Sequence, residues 1–378
     1  MQQPVCQLCL LVSRTIFIYY ATFKKIFYQY HMPGAKSPNI NWINNLRLIA
    51  LFAVIVLHTS AVLLAQYGKV PFNDWLTADF YNAVVRFAVP VFVMITGALL
   101  LHREYELDDF FKKRLSKVIT PFLFWSLVYI GYSWYNGEIA FDADWWTNTK
   151  QVLHLLKYGS SYHLWYVYML IGLYFVIPVI GKFVRNATEK ELQYFLIVWF
   201  GVMMLSQPYL IRFNPQVDLH YFAGYIGYLV LGHYLAFKEF KRQNIRVWMA
   251  LVFVLTIVVI TFGSWMLYKN NSTVGTLFYE PISPTIVLLS ASVFLMARFT
   301  MVKLSPAISR LRDFACGYNY GIYLAHALVL YLLDRVNISY KLCIPIISIP
   351  VTALICFVLT LGLVWLISKL PFGKWISG

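Results

Sequence analysis

Arg47 and His58 lie in one apolar run, Leu46 to Ala65. The run is long enough to cross a bilayer as a helix. Eleven residues of helix make three full turns plus about 20°, so the two side chains share a face, roughly 16 Å apart along the axis. An ionisable residue is expensive to place inside a membrane span, which marks it as a functional-site candidate. A neutral imidazole near pH 7 is the usual general base, and a guanidinium at one membrane surface meets an anion. The pair suits a substrate with an anionic end and a reactive end. The plainer alternatives are a snorkelling anchor for Arg47 and a packed histidine for His58. No carboxylate is expected inside any span. The partner of His58 must then be another helix end, a backbone carbonyl or water.

Four further groups could carry chemistry. Lys113, Arg114 and Lys117 stand in the basic run before the third expected span, with Arg114 and Lys117 on one helix face. They read as a phosphate clamp or as a topology and lipid-binding signal. Arg86, four residues before Pro90, opens the second span from the outer side. It reads as an interfacial anchor or as a contact for an anionic or hydroxyl-rich substrate. His163 and Trp165 open the fourth span, as part of an aromatic belt or of a sugar platform. Tyr323 and His326 fall near mid-depth of the ninth span, facing the core or a cavity. G-x-S-x-G, P-loop and H-E-x-x-H motifs are absent and no metal cluster is evident, so no metal is expected.

The elements that must position these residues are membrane helices. The 378-residue chain is 60% hydrophobic and 12% charged, where soluble proteins carry about 25% charge. Its apolar runs predict an all-α polytopic bundle of about ten transmembrane helices, near 44–65, 84–101, 118–135, 163–181, 192–207, 220–237, 247–267, 282–299, 317–333 and 343–368. Alternating the loops puts 23 of the 31 Lys and Arg on one side, with the acidic residues split evenly. That asymmetry predicts cytoplasmic termini. The net charge of +15 is therefore a topology signal first, attracting membrane lipids and not nucleic acid.

Residues 41–378 read as one membrane domain, and residues 1–40 as an N-terminal extension. Val5–Tyr20 is short, broken by Arg14 and lacks a cleavage site, so it is no signal peptide but could form an interfacial helix. Met32, followed by a polar leader, is expected to be the true start. Cys6 and Cys9 form a lone C-x-x-C with no second pair, a poor metal site. The longest outer loop, about 136–162, is expected to be re-entrant or amphipathic. Pro90, Pro121, Pro178 and Pro350 interrupt spans, which is tolerated beside cavities.

Five blocks in order resemble the acyltransferase-3 family of integral membrane acyltransferases. They are Arg47 through His58, Arg86 through Gly97, Arg114 through Pro121, His163-Leu-Trp165-Tyr166, and Gly321-Ile-Tyr323-Leu-Ala-His326. The resemblance runs from about Asn41 to the end. It implies a ten-helix bundle in a bacterial inner membrane. It also implies transfer of an acetyl group from acetyl-CoA to a hydroxyl of a cell-surface or lipid-linked glycan. His58 would be catalytic and Arg47 would support it. Arg114, Lys117 and Lys113 would hold the donor phosphates, and Arg86, His163, Trp165, Tyr323 and His326 the acceptor. Lys117 stands where the family has a second arginine, keeping the charge but losing the fork. The rival class is a transporter or flippase of a lipid-linked polysaccharide precursor, which broken spans and buried cations would also serve.

Overall fold

The computed structural model describes residues 40–207, 224–240, 244–270, 277–300 and 302–378. The expectations for Cys6, Cys9, Val5–Tyr20 and Met32 lie outside the described residues, as does the start of the span expected at 220–237. Within them the chain is helical, with no strand.

The first helices are α1 (Ile40–Leu64), α2 (Phe72–Val85), α3 (Ala88–Leu100) and α4 (Leu107–Tyr135). The outer segment folds as α5 (Trp145–Tyr158), and a 3-10 turn, Tyr162–Leu164, leads into α6 (Trp165–Asn186). There follow α7 (Glu189–Leu205), α8 (Ile226–Phe237), α9 (Ile245–Asn270) and α10 (Pro284–Phe299). The last are α11 (Pro306–Gly317), α12 (Asn319–Arg335), α13 (Pro345–Ile367) and the short α14 (Gly373–Ile376).

Helix starts follow the local sequence. Thr188 and Glu191 form a capping box at α7, bonding each other's backbone amides. Ser283 and Ser305 cap α10 and α11, each followed by a proline whose missing N–H is no loss in the first turn. Asp144 caps α5, accepting from the amides of Thr147 at 2.9 Å and Trp146 at 3.3 Å.

Among the described residues, seven helical segments are long and apolar enough to cross a membrane. The expected spans at 192–207, 220–237 and 317–333 coincide with α7, α8 and α12, of 17, 12 and 17 residues, which are shorter than those seven. The second span begins earlier than its hydropathy indicated. It runs from Phe72 through Leu100 as two helices with a break at Arg86 and Phe87. Pro90 sits just past the break and can offer no N–H to the Arg86 carbonyl four residues back. This longer span overturns one expectation: Asp79, 0% exposed, is a carboxylate inside a span. The outer segment 136–162 carries one helix. Its helix α5 is amphipathic and buries no residue.

Phe72–Leu100 is 72% buried over its most apolar stretch and Ile245–Asn270 only 17%. The second span is thus the middle of the bundle and α9 its rim, with Val254, Val258 and Phe262 facing outward. The tightest seam joins α3 to α8. A Cβ at Gly97 would collide with the Leu229 backbone, and one at Gly232 with the Met94 backbone. Glycine on both sides lets the two helix backbones approach. Against this centre packs α1, in contact with α2, α3, α12 and α13.

Candidate functional site

Three histidines from three elements meet inside the bundle. His58 of α1 stacks on His326 of α12, with ring centroids 5.3 Å apart and planes inclined by 28°. His163, in the turn before α6, meets His326 edge to face at 5.0 Å. His163 and His326 are 1% and 0% exposed, whereas His58 keeps accessible surface. Access to the cluster is therefore through His58. Tyr162 meets His58 edge-on at 4.9 Å and is itself half exposed. That tyrosine was not singled out by the sequence, where it reads only as the residue before a His-x-Trp block.

Tyr323 ties the cluster together. Its hydroxyl donates to the His163 backbone carbonyl, and its ring lies 5.6 Å from His326 and 5.1 Å from Tyr166. Tyr129 Oη donates to the Leu324 carbonyl at 2.8 Å and accepts from the Leu328 amide at 3.1 Å, bracing α12 against α4. Buried tyrosines bring both packing area and a polar tip that finds a partner. Both His163 nitrogens are engaged, with Ser161 Oγ and the Leu324 carbonyl oxygen. No three His, Cys, Asp or Glu among the described residues come together as metal ligands.

Arg86 lies at the α2–α3 break, its guanidinium 4.6 Å from the centre of the Tyr279 ring. It is within Coulombic reach of His58, Asp79 and Glu280. Asp79 accepts from Ser264 Oγ at 2.7 Å, and Ser264 in turn accepts from Tyr279 Oη at 3.1 Å. Asn82, one turn beyond Asp79, donates to Ser60 Oγ at 2.9 Å. The sequence reading missed both, because it started the span at residue 84. The alternation of polar residues at 79, 82 and 86 on one helix face was the signal. Trp165 is not part of the histidine cluster. It is 43% exposed and lies beside Tyr225, at 6.1 Å.

Arg47 stands three turns from His58 on α1, half-buried, with Nη1 3.4 Å from Asn44 Oδ1. The start of α1 is held by α11, which no apolar run announced. Arg312 donates to Asn45 Oδ1 at 3.2 Å and to Asn41 Oδ1 at 3.1 Å, and Asn44 donates to Asp313 Oδ1 at 3.2 Å. Hydrogen bonds from Arg312 hold the Asp313 carboxyl below its ordinary range. The Ser305-Pro306 start signal was legible, and its amphipathic pattern is that of an interfacial helix.

Lys113, Arg114 and Lys117 line one pocket of about 410 Å³, together with Glu104, Tyr105, Glu106, Asp109 and Phe110. Lys113 is paired with Asp109 at 2.8 Å and is well exposed, whereas Arg114 is half-buried. Phe110, in the pocket wall, contacts Tyr105 at 4.8 Å and Tyr174 at 6.1 Å. Tyr174 lies within Coulombic reach of both Arg114 and Arg47, and Tyr166 within reach of Arg47. Tyr174, Tyr166 and Tyr323 thus form a column from the basic pocket, past Arg47, to the three histidines.

A cationic pocket and a buried imidazole cluster thus stand at the two ends of this column. Residues 40–369 match the acyltransferase-3 family model, described as an acyltransferase domain. The chain belongs to the acyltransferase-3 family. An amino-acid racemase of Enterococcus faecalis is 30% identical over 173 residues, 43% of this chain and 22% of that protein. The acyltransferase-3 chain thus spans about a fifth of the length of this curated relative. No solved structure matches the chain.

Proposed function

We propose that this membrane acyltransferase is an O-acetyltransferase. It moves an acetyl group from cytoplasmic acetyl-CoA to a hydroxyl of a cell-surface or lipid-linked glycan. Its motif blocks resemble most those of the enterobacterial common antigen O-acetyltransferase. In this reading α7, α8 and α12 complete ten crossings of a bacterial inner membrane, with both termini cytoplasmic, as the loop charges require.

The observation that carries the reading is His58. It is the accessible member of a buried histidine cluster, on the helix that bears Arg47, at the end of the tyrosine column. The phosphates of acetyl-CoA bind Arg114, Lys117 and Lys113, with Arg47 further along, and the pantetheine arm follows Tyr174 and Tyr166. His58 takes the proton of the acceptor hydroxyl, which attacks the thioester carbonyl. Burial keeps water from the thioester. His163, Tyr323 and His326 shape the acceptor end. Arg86 contacts the sugar, and Trp165 receives it further out on the surface. Racemase activity is not carried over from the Enterococcus protein, whose matched part is a minor share of it.

The test is His58→Gln in cells lacking the native gene, with the inserted protein quantified and surface glycans analysed by NMR for acetyl esters. Loss of the esters with normal glycan export supports the reading. Acetyl retained on intracellular precursors with export lost would make the protein a flippase.

A further inference from the structure

The three clustered imidazoles differ in what their nitrogens do. His163 Nε2 is 3.2 Å from the Leu324 carbonyl oxygen, and Nδ1 is 3.1 Å from Ser161 Oγ. A carbonyl only accepts, so Nε2 carries the hydrogen and Nδ1 accepts from the serine hydroxyl. His326 Nδ1 is 2.5 Å from the Tyr323 carbonyl oxygen and so carries that ring's hydrogen. Its Nε2 is a bare lone pair, buried and without a hydrogen-bond partner. An unpartnered buried polar atom is costly and calls for an explanation.

His326 is 0% exposed, so its Nε2 faces packed protein and not open solvent. Among the neighbouring side chains, the other possible donors are committed elsewhere. Tyr323 donates to the His163 carbonyl and Tyr129 to the Leu324 carbonyl. The Cys356 thiol lies 3.5 Å from the His326 carbonyl oxygen, to which it donates. Both nitrogens of His163 are taken. That leaves His58, stacked on His326 and without a hydrogen bond to any other described side chain or backbone group.

We infer that His326 is the positioning residue of His58. A swing of the His58 ring out of the stack presents its N–H to the His326 Nε2 lone pair. This fixes the His58 tautomer and leaves its second nitrogen free for the acceptor hydroxyl. The Tyr323 carbonyl, His326 and His58 then form a relay in which an imidazole takes the place of an orienting carboxylate. The inference rests on the reading of His58 as the base. During transfer the hydroxyl oxygen bonds to the thioester carbonyl carbon while its proton passes to the free His58 nitrogen. The C–S bond then breaks, and the departing thiolate takes that proton. His326 keeps its hydrogen on Nδ1 throughout, and its lone pair stabilises His58 while His58 is charged.

Two substitutions separate this role from a structural one. His326→Asn keeps an N–H for the Tyr323 carbonyl but has nothing at the Nε2 position. His326→Gln reaches the Nε2 position with an amide oxygen but gives up the Tyr323 bond. The assay uses the full chain in detergent, radiolabelled acetyl-CoA as donor, and envelope glycan from cells lacking the gene as acceptor. We expect His326→Asn to lower kcat about a hundredfold with KM for acetyl-CoA within about twofold, and His326→Gln to retain about tenfold more kcat than His326→Asn. Wild-type kcat in His326→Asn, or a better His326→Asn than His326→Gln, overturns the inference. His58→Gln runs alongside. If it is active, the reading of His58 falls and this inference with it. If it is inactive while His326→Asn is active, only the inference about His326 falls. Should His326→Asn fail to insert, His326→Gln decides alone: kcat within about tenfold of wild type supports the role, and loss as complete as in His58→Gln refutes it.

Discussion

Removing Arg114 and removing Lys113 delete the same charge from the same pocket wall, yet the geometry predicts very different effects. Lys113 is exposed and already paired with Asp109, the side chains being 71% and 65% accessible. Exposed charges of this kind contribute at most about 1 kcal/mol, which is less than about fivefold in affinity. Arg114 is half-buried beside Tyr105. A charge-assisted hydrogen bond to a phosphate there is worth roughly 1.5–3 kcal/mol, or about ten- to a hundredfold. The assay is equilibrium binding of tritiated acetyl-CoA to the purified chain in detergent at about 150 mM salt, where screening suppresses exposed charges. Arg114→Ala should weaken binding by about ten- to a hundredfold and Lys113→Ala by less than about fivefold. Equal losses would show that only net surface charge matters. Unchanged binding in Arg114→Ala would remove the pocket from the donor path.

Three further outcomes follow from packing and capping. Gly97→Val should lower the melting temperature in detergent sharply, since overpacking costs about 1–3 kcal/mol or more, whereas Gly131→Ala in α4, where a Cβ meets nothing, should be neutral or stabilising by about 0.5–1 kcal/mol. Tyr323→Phe strands the buried His163 carbonyl and should destabilise the fold by about 1–3 kcal/mol; an unchanged melting temperature would mean that the carbonyl finds another donor. At Asp144 the Thr147 hydroxyl, then the amides of Thr147 and Trp146, hold the carboxyl below its ordinary value. The cap is thus complete above the unfolded pKa of about 3.9 and is lost as pH falls through the lower folded value. Protection factors of the α5 amides, corrected for intrinsic exchange, should be flat from neutral pH to about 4 and fall below it; protection that rises on acidification would contradict the cap.

How much the sequence disclosed depended on range. The helical spacing of Arg47 and His58 is a local property, and both sit on α1 as spacing requires. The basic run likewise ends in one pocket. Convergence of His58, His163 and His326 is not local, since the three stand on separate elements far apart in sequence. Only the block resemblance grouped them. Trp165 lies outside the cluster because one residue past the turn its side chain leaves on another face. Asp79 was invisible because hydropathy windows treat a buried carboxylate as the end of a span. In the fold, Ser264 and the Arg86 charge accommodate it within a helix. The helix α11 was overlooked for the converse reason: its apolar face is too narrow to register as a run, yet Arg312 on it fixes where α1 begins.

The interruption at Arg86 and Phe87 has a chemical corollary. Because Pro90 has no hydrogen to give, the Arg86 peptide oxygen loses its usual helical donor, beside a side chain that can only donate. One residue thereby offers a lone pair and N–H groups within the same stretch of span. An alcohol uses both, being donor and acceptor at once, whereas a carboxylate or phosphate would be attracted by the guanidinium and repelled by the oxygen. On the proposed reading, the bend would favour a neutral, hydroxyl-bearing acceptor over an anion at this point of the bundle.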